Sequence, residues 1–158
     1  MKLLEGKTAI ITGSSRGIGR AAAMAFASHG AGLVIHSSSE ESSRPLAEEL
    51  GCAFVAGDIG ELSTSQRLAD ECMSRYGRID ILVNNAGINS RTKFLDLTPD
   101  EWDRILRVNL TGAFYACQCV IPHMLAQKAG VIINIVISCR EDSSPDIISL
   151  LRSKQGRT

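Results

Sequence analysis

In this chain of 158 residues, the most informative segment is Thr12-Gly13-Ser14-Ser15-Arg16-Gly17-Ile18-Gly19. It follows the apolar run 8–11 and leads into the alanine-rich stretch 20–27, a pattern that predicts a strand, a glycine turn and a helix amino terminus. Glycine lets the chain turn sharply and lets backbone N–H groups approach phosphate oxygens without an intervening Cβ. The helix dipole adds attraction for an anion. The pattern predicts a dinucleotide pyrophosphate site, with an ordinary strand-to-helix turn as the alternative.

Length and composition favour one domain, residues 1–158, and exclude several classes of partner. The 17 basic and 17 acidic residues cancel, and no Lys/Arg block is present, which argues against nucleic acid or an anionic membrane as a partner. The amino end carries charges where a signal peptide needs apolar residues, and no apolar run approaches the ~20 residues of a membrane span. We therefore expect a cytoplasmic protein without membrane contact.

The cysteines and histidines indicate neither disulfides nor a metal site. The five cysteines are odd in number and lack paired C-x-x-C spacing. Cys117 and Cys119 form a metal-ligand pair only if a second pair of ligands joins them. The three histidines stand far apart in sequence. We expect reduced cysteines and no bound metal.

Apolar, β-branched runs recur along the chain between longer helical patterns, at residues 7–12, 32–36, 53–57, 79–83 and 131–137. Continuous rather than alternating apolar strands predict a parallel sheet covered on both faces. Right-handed crossovers then give an α/β fold, a doubly wound parallel sheet of the Rossmann type with three layers and strand order 3-2-1-4-5. The cap signal at Thr98 and Pro99 predicts a helix over 99–128, bent near Gly112. Ligands bind such sheets at the carboxyl ends of the strands.

Four further segments follow the glycine turn in order: Gly57-Asp58-Ile59, Asn84-Asn85-Ala86-Gly87, Val108-Asn109-Leu110-Thr111-Gly112 and Ser153-Lys154. This combination resembles the short-chain dehydrogenase/reductase family, in particular its 3-oxoacyl-acyl carrier protein reductase-like members. The resemblance covers residues 5–137 well and the tail 138–158 poorly. It implies hydride transfer between a nicotinamide cofactor and a small-molecule carbonyl or alcohol substrate.

The resemblance also implies the cofactor-binding residues, which are Gly13, Ser15, Arg16, Gly17, Ile18, Gly19, Ser37, Ser38, Asp58, Ile59, Asn85, Ala86 and Gly87. Strand two ends at Ser37 and Ser38 without the acidic residue that binds a ribose 2′-hydroxyl and selects NAD. Arg16, with these serines, is suited to a 2′-phosphate. NADP(H) is therefore predicted over NAD(H), and a solvated turn residue is the alternative for Arg16.

The loops after strands three and four match other parts of the family's cofactor site. Asp58 corresponds to a carboxylate that accepts from the adenine amine, while Ile59 packs on the ring. The segment Asn85-Ala86-Gly87 corresponds to the loop beside the cofactor ribose, where small residues let the backbone approach. A turn stabilised by asparagine side chains is an alternative that is compatible with this role.

Family catalysis uses a tyrosine as proton donor, a lysine four residues later, a serine on strand five and an asparagine in the long helix. Asn109 and Lys154 match the asparagine and the lysine, which places Leu150 where the tyrosine is expected. Leucine has no proton to give, and general acid–base catalysis is typically worth roughly 10²–10⁴-fold. The resemblance therefore predicts a catalytically impaired chain.

The end of the sequence departs further from the family pattern. Ser138 lies one residue later than the pattern places the serine, and because strand side chains alternate faces, both a cleft-facing and an outward placement stay open. Family members usually continue through a helix that helps form dimers and tetramers, a sixth strand and a substrate loop. We therefore expect a carboxyl-terminally truncated member, for which a homo-oligomer is one possible assembly.

Three interpretations of the chain follow. The first is an NADP(H)-dependent oxidoreductase by descent. The second is an inactive truncated isoform or pseudoenzyme that retains nucleotide binding or a protein-interaction role. The third is an active ancestral reductase whose last twenty residues were replaced through splicing or a frameshift.

Overall fold

The computed structural model describes residues 2–136, and these form one parallel sheet with helices on both faces. The strands are β1 (Thr8–Ile11), β2 (Gly32–Ser37), β3 (Ala53–Ala56), β4 (Ile81–Asn84) and β5 (Val131–Asn134). The helices are α1 (Gly17–Ser28), α2 (Glu40–Leu50), α3 (Leu62–Tyr76), α4 (Pro99–Leu106) and α5 (Gly112–Gln127), with a short 3₁₀ turn at Phe94–Asp96. All pairings are parallel in the order β3-β2-β1-β4-β5. The predicted doubly wound fold and its strand order are confirmed.

Side chains that alternate along the strands build a separate core on each face of the sheet. On one face Ile10, Val34 and Leu82 pack with buried residues of α3 and α5. On the other face Ile11, Ile35 and their neighbours pack with α1 and α2. Because both faces are covered, the inner strands carry apolar residues that face either side of the sheet, and their polar residues stand at the strand ends.

The helical segment 99–127 runs without interruption but leaves α-geometry in the middle. Thr98 caps α4, since its hydroxyl accepts a hydrogen bond from the Glu101 N–H at 3.3 Å. A π turn at Arg107–Thr111 then joins α4 to α5. Where a bend near Gly112 was predicted, the structure has a π turn that ends just before this glycine. Gly112 itself is buried, and an added Cβ would lie 2.9 Å from Ile59 Cγ2.

Strand β5 lies at one end of the sheet and pairs with β4. Within residues 2–136 no other strand pairs with β5. The strand itself and the residues after it are exposed, with Val131 at 55% and Val136 at 82% of full accessibility.

No helix in the described part of the chain combines the length and the apolar character needed to cross a bilayer. The described cysteines are free thiols, and burial raises the pKa of Cys72 to about 11.

Asp80 ties the amino ends of β1 and β4 together. Its carboxylate, 6% exposed, accepts hydrogen bonds from the Thr8 N–H at 3.0 Å and from Arg78 Nε and Nη2 at 2.7 and 2.6 Å. Lys7 Nζ lies 3.5 Å away. Burial of Asp80 opposes ionisation, but the bonds from Arg78 and Thr8, with the charges of Arg78 and Lys7, together hold the pKa of this carboxyl below its ordinary value.

We expect Asp80→Asn to lower the free energy of unfolding at pH 7 by about 1–3 kcal/mol, because it removes a buried charge with several donors. A carboxyl whose pKa is depressed in the folded state stabilises the fold above its unfolded pKa of about 4, and this stabilisation is lost as the pH falls below that value. Urea unfolding at pH 7 and pH 3 measures both effects. Asp70→Asn, an exposed position on α3, is the control. Equal losses for the Asp80 variant at both pH values would contradict the assignment.

Candidate nucleotide-binding site

A cleft of about 600 Å³ opens at the carboxyl ends of β1, β2, β3 and β4. Four loops contribute to its lining: the glycine loop between β1 and α1, the loop after β2, the loop after β3 and the loop after β4. The predicted cofactor residues that line it are Gly13, Ser15, Arg16, Gly17, Ile18, Ser37, Ser38, Asp58, Ile59, Asn85, Ala86 and Gly87. The fold thus brings together residues that lie up to 74 positions apart in the sequence (13 to 87).

The glycines of the first loop are required by the way it turns and packs. Gly13 and Gly17 have φ of +64° and +57°, in the left-handed region that favours glycine. A Cβ on Gly13 would lie 2.7 Å from Ala86 Cα, where backbone meets backbone. Gly19 does not line the cleft, because it is buried in α1, and a Cβ there would overlap Asn85 Nδ2 and the Gly13 carbonyl. Gly19 therefore lets α1 pack against both loops.

The loop after β4 is bonded directly to the end of β1. The Thr12 hydroxyl oxygen accepts from the N–H groups of Asn85 and Ala86, each at 3.0 Å. From the same loop, Asn85 Nδ2 donates to the carbonyls of Thr12 and Gly13 at 3.0 and 2.8 Å. The asparagine side chain stabilises the turn, as the structural alternative predicted, and leaves the backbone of Ala86 and Gly87 beside the cleft.

His36 is a buried residue in the floor of the cleft that the sequence did not single out. Its Nδ1 accepts from the Gly13 N–H at 3.2 Å, and its Nε2 lies 3.0 Å from the Gly57 carbonyl. A carbonyl only accepts, so Nε2 carries the proton and the ring is neutral. Burial lowers the pKa of His36, and the bond to Gly57 opposes this effect only in part. One imidazole thereby links the ends of β1, β2 and β3.

The amino end of α1 is suited to an anion. Its cap residue Arg16 makes no capping hydrogen bond with its side chain, and no acidic residue stands in the first turn of the helix. The positive end of the helix dipole and the N–H groups of the first turn are therefore not neutralised from within the helix. Arg16 and Gly17 are exposed beside the cleft. A close backbone turn at a helix amino end, with no capping side chain from the described residues of α1, fits a pyrophosphate.

The two serines after β2 differ in environment. Ser37 is buried, donates to the Ser39 carbonyl at 2.7 Å and lies 2.6 Å from Ser43 Oγ, so its hydroxyl fixes the turn that leads into α2. Ser38 is exposed at the cleft. Of the pair, Ser38 is the one whose side chain is available to a ligand.

The residues of the loop after β3 also take different positions. Asp58 is partly exposed and lines the cleft, and its Oδ1 accepts from the Gly60 N–H at 2.8 Å. Ile59 is 4% exposed and packs in the core beside Gly112. It reaches the cleft with only a small part of its surface.

Asn109 lies in the π turn and is bonded to the loop that follows Gly87. Its Oδ1 accepts from the Ile88 N–H and its Nδ2 donates to the Ile88 carbonyl, both at 2.8 Å. Asn109 therefore holds one wall of the cleft by a two-point contact with the backbone. Ser138, Lys154 and Leu150 lie outside the described residues.

Besides His36, the cleft lining includes five residues that were not among the predicted cofactor residues. Gly57 and Val108 belong to the motifs quoted from the sequence, whereas sequence reasoning missed Ile88, Arg104 and Ile135. Arg104 and Val108 lie four residues apart, and this helical spacing beside Asn109 is the signal that would have indicated them.

Comparison with known proteins places this fold and cleft in a family. The model of the short chain dehydrogenases matches residues 7–149. The chain belongs to the short-chain dehydrogenase family. The family binds NAD(P) in a cleft at the carboxyl ends of the strands, where this chain also has its cleft.

Several curated relatives are similar to this chain. An uncharacterised oxidoreductase from Thermotoga maritima is 35% identical over 98% of this chain and 62% of its own length. Oxidoreductase UcpA from Salmonella typhimurium is 39% identical over 84% of this chain and 52% of its own length. The 3-oxoacyl-[acyl-carrier-protein] reductase FabG from Thermotoga maritima is 36% identical over 84% of this chain and 56% of its own length. This short-chain dehydrogenase thus spans between half and two thirds of the length of these relatives.

The neutral ring of His36 makes the stability of the fold sensitive to acid. A histidine whose pKa is lowered by folding stabilises the folded state above its unfolded pKa near 6.5, and that contribution falls as the pH drops below this value. We expect the wild type to lose up to about 1.4 kcal/mol per pH unit from this residue below pH 6.5. His36→Gln should remove that slope in urea unfolding between pH 7 and pH 5, whereas His123→Gln, on α5 outside the cleft, should keep it. A slope unchanged by His36→Gln would refute this role.

Proposed function

We propose that this short-chain dehydrogenase is an NADP(H)-dependent oxidoreductase by descent, and that its catalysis is impaired. The observation that carries the proposal is the cleft in which Arg16 and Ser38 flank the uncapped amino end of α1. No acidic residue follows β2 at the position where a carboxylate would bind a ribose 2′-hydroxyl. A guanidinium and a hydroxyl at this place favour a 2′-phosphate.

Within this proposal each cleft residue has a part in holding the dinucleotide. The glycine loop (Gly13, Ser15, Arg16, Gly17 and Ile18) and the amino end of α1 bind the pyrophosphate. Asp58 accepts from the adenine amine, and the backbone of Asn85, Ala86 and Gly87 borders the ribose on the nicotinamide side. Ser37, Ile59 and Gly19 shape the site from beneath. When bound, the nicotinamide supplies a hydride to a carbonyl carbon or takes one from an alcohol carbon.

The catalytic part of the proposal rests on the family pattern. Asn109 holds the wall of the cleft through Ile88. Ser138 orients the substrate carbonyl, and Lys154 holds the nicotinamide ribose. Leu150 stands where the proton donor is expected, so proton transfer to the carbonyl oxygen lacks its general acid. We place the resulting rate at least about a hundredfold below that of a member with tyrosine at this position.

The substrate class is the carbonyl or alcohol of a small molecule. The names of three relatives indicate candidate substrates. They are a 3-oxoacyl-[acyl-carrier-protein] reductase, a sorbitol dehydrogenase and an L-rhamnose 1-dehydrogenase. The candidate substrates are therefore an acyl thioester and a sugar or polyol. We also propose that the chain forms a homo-oligomer.

The second candidate function is a pseudoenzyme that retains only nucleotide binding or a protein-interaction role. Leu150 favours this alternative, because leucine has no proton to donate.

Titration with NADPH and NADH tests the nucleotide site. We expect saturable binding, followed through the fluorescence of Trp102 on α4 and a rise in melting temperature, with NADPH bound more tightly. Arg16→Met should lower the preference for NADPH about tenfold, because a charge-assisted contact with the 2′-phosphate is lost while contacts shared with NADH remain.

Arg20→Met is the matched control, since Arg20 lies on α1 four residues after Arg16 and is half-exposed but pairs with Glu49 outside the cleft. It should leave the preference unchanged. A folded wild type that binds neither nucleotide would refute the proposed function.

The assignment of position 150 is tested by Leu150→Tyr, with Leu150→Phe as a control that adds the ring without the hydroxyl. Acetoacetyl-coenzyme A, as a 3-oxoacyl thioester, and simple ketones serve as substrates in an NADPH-oxidation assay. We expect the tyrosine variant to gain at least about tenfold over both the wild type and the phenylalanine variant. Turnover typical of complete reductases in the wild type would contradict impairment, and a tyrosine variant that binds NADPH without gaining rate would contradict the assignment.

A further inference from the structure

Arg107, in the π turn between α4 and α5, contacts the loop after β3 at three places. Its Nη2 lies 2.9 Å from Asp58 Oδ2, and its Nη1 lies 3.1 Å from Glu61 Oε1. The stem of its side chain lies over Gly60, where an added Cβ would stand 2.6 Å from Arg107 Cγ. The arginine thus packs against this loop as well as pairing with it.

These contacts fix the carboxylate of Asp58 at both oxygens. The Gly60 N–H donates to Oδ1 at 2.8 Å, and Arg107 pairs with Oδ2. A carboxylate held at one oxygen rotates about its last side-chain bond, whereas one held at both keeps a fixed plane. Each carboxylate oxygen accepts more than one hydrogen bond, so Asp58 keeps acceptor capacity at the cleft.

We propose that Arg107 is a positioning residue for adenine recognition, because it fixes the Asp58 carboxylate in the orientation that accepts from the exocyclic amine of the base. The inference rests on the proposed function, since it requires an adenine dinucleotide in the cleft. Arg107 does not line the cleft and acts through Asp58.

Arg107 has a second, less specific effect, which the test must separate from the first. It offsets the charges of Asp58 and Glu61, so its loss leaves two uncompensated carboxylates near a ligand that carries several phosphate charges. That repulsion weakens every dinucleotide alike. The repulsion therefore cancels in the ratio of the dissociation constants for two ligands that differ only in the base.

The experiment measures dissociation constants for NADPH and for its hypoxanthine analogue, deamino-NADPH, which has a carbonyl in place of the exocyclic amine. The wild type should prefer adenine by at least about fivefold, as a charge-assisted hydrogen bond requires. Arg107→Met should lower this ratio below about twofold. Arg107→Lys, which keeps one cationic donor, should give an intermediate ratio.

Two further variants make the test independent of the charge change. Gly60→Ala leaves every charge in place but puts a methyl group 2.6 Å from Arg107 Cγ and 3.2 Å from Asp58 Oδ1. It disturbs the same arrangement of Arg107 and Asp58 and should lower the ratio as well. Arg20→Met removes an arginine of similar exposure, 43% against 47% for Arg107, and should keep the wild-type ratio. Melting curves of each variant establish that it is folded.

The outcomes separate the inference from the proposed function. A folded wild type that binds neither nucleotide refutes both. A wild type that binds both bases equally, or an Arg107→Met protein that keeps the full preference for adenine, refutes the inference and leaves dinucleotide binding intact. A ratio lowered by Arg107→Met and by Gly60→Ala, and unchanged by Arg20→Met, supports it.

Discussion

The site depends on the close approach of two backbones, those of the glycine loop and the loop after β4. A Cβ on Gly13 would lie 2.7 Å from Ala86 Cα. Because this contact is with a main-chain atom, no flexible side chain can move aside to relieve it. Four hydrogen bonds close the same contact, and the loop after β4 donates all of them. The acceptors are the Thr12 hydroxyl and the Thr12 and Gly13 carbonyls. This contact sets the position of the amino end of α1 relative to β4, and hence the width of the cleft.

The π turn holds the other side of the cleft because its residues reach two different loops. Asn109 bonds to the backbone of Ile88 after β4, and Arg107 pairs with Asp58 after β3. Residues two positions apart on a helix point to nearly opposite sides, so one turn contacts two different loops. Gly112, buried against Ile59, lets the turn approach closely enough for both contacts.

The sequence predicted the fold and most of the cleft lining because those features depend on local patterns. Continuous apolar strands, crossovers and glycine turns determine which strand ends meet, whatever the individual side-chain contacts. The roles of His36 and Arg107 were beyond sequence reasoning, since their partners lie 21 to 49 residues away and are chosen by strand pairing and helix packing. The burial of the Ser37 hydroxyl likewise depends on how α2 packs, which its serine-rich surroundings do not reveal.

The balance of charge in the sequence says little about the potential in the cleft. The chain carries no net charge, yet Arg16 and Arg104 line the cleft together with the positive end of α1. The carboxylate of Asp58, which also lines it, is paired with Arg107. Because field lines concentrate in a cleft with low-dielectric walls, this local excess of positive charge attracts a small anion even though the surface as a whole does not favour a polyanion. Net neutrality of the whole chain is therefore fully compatible with a phosphate-bearing ligand in this cleft.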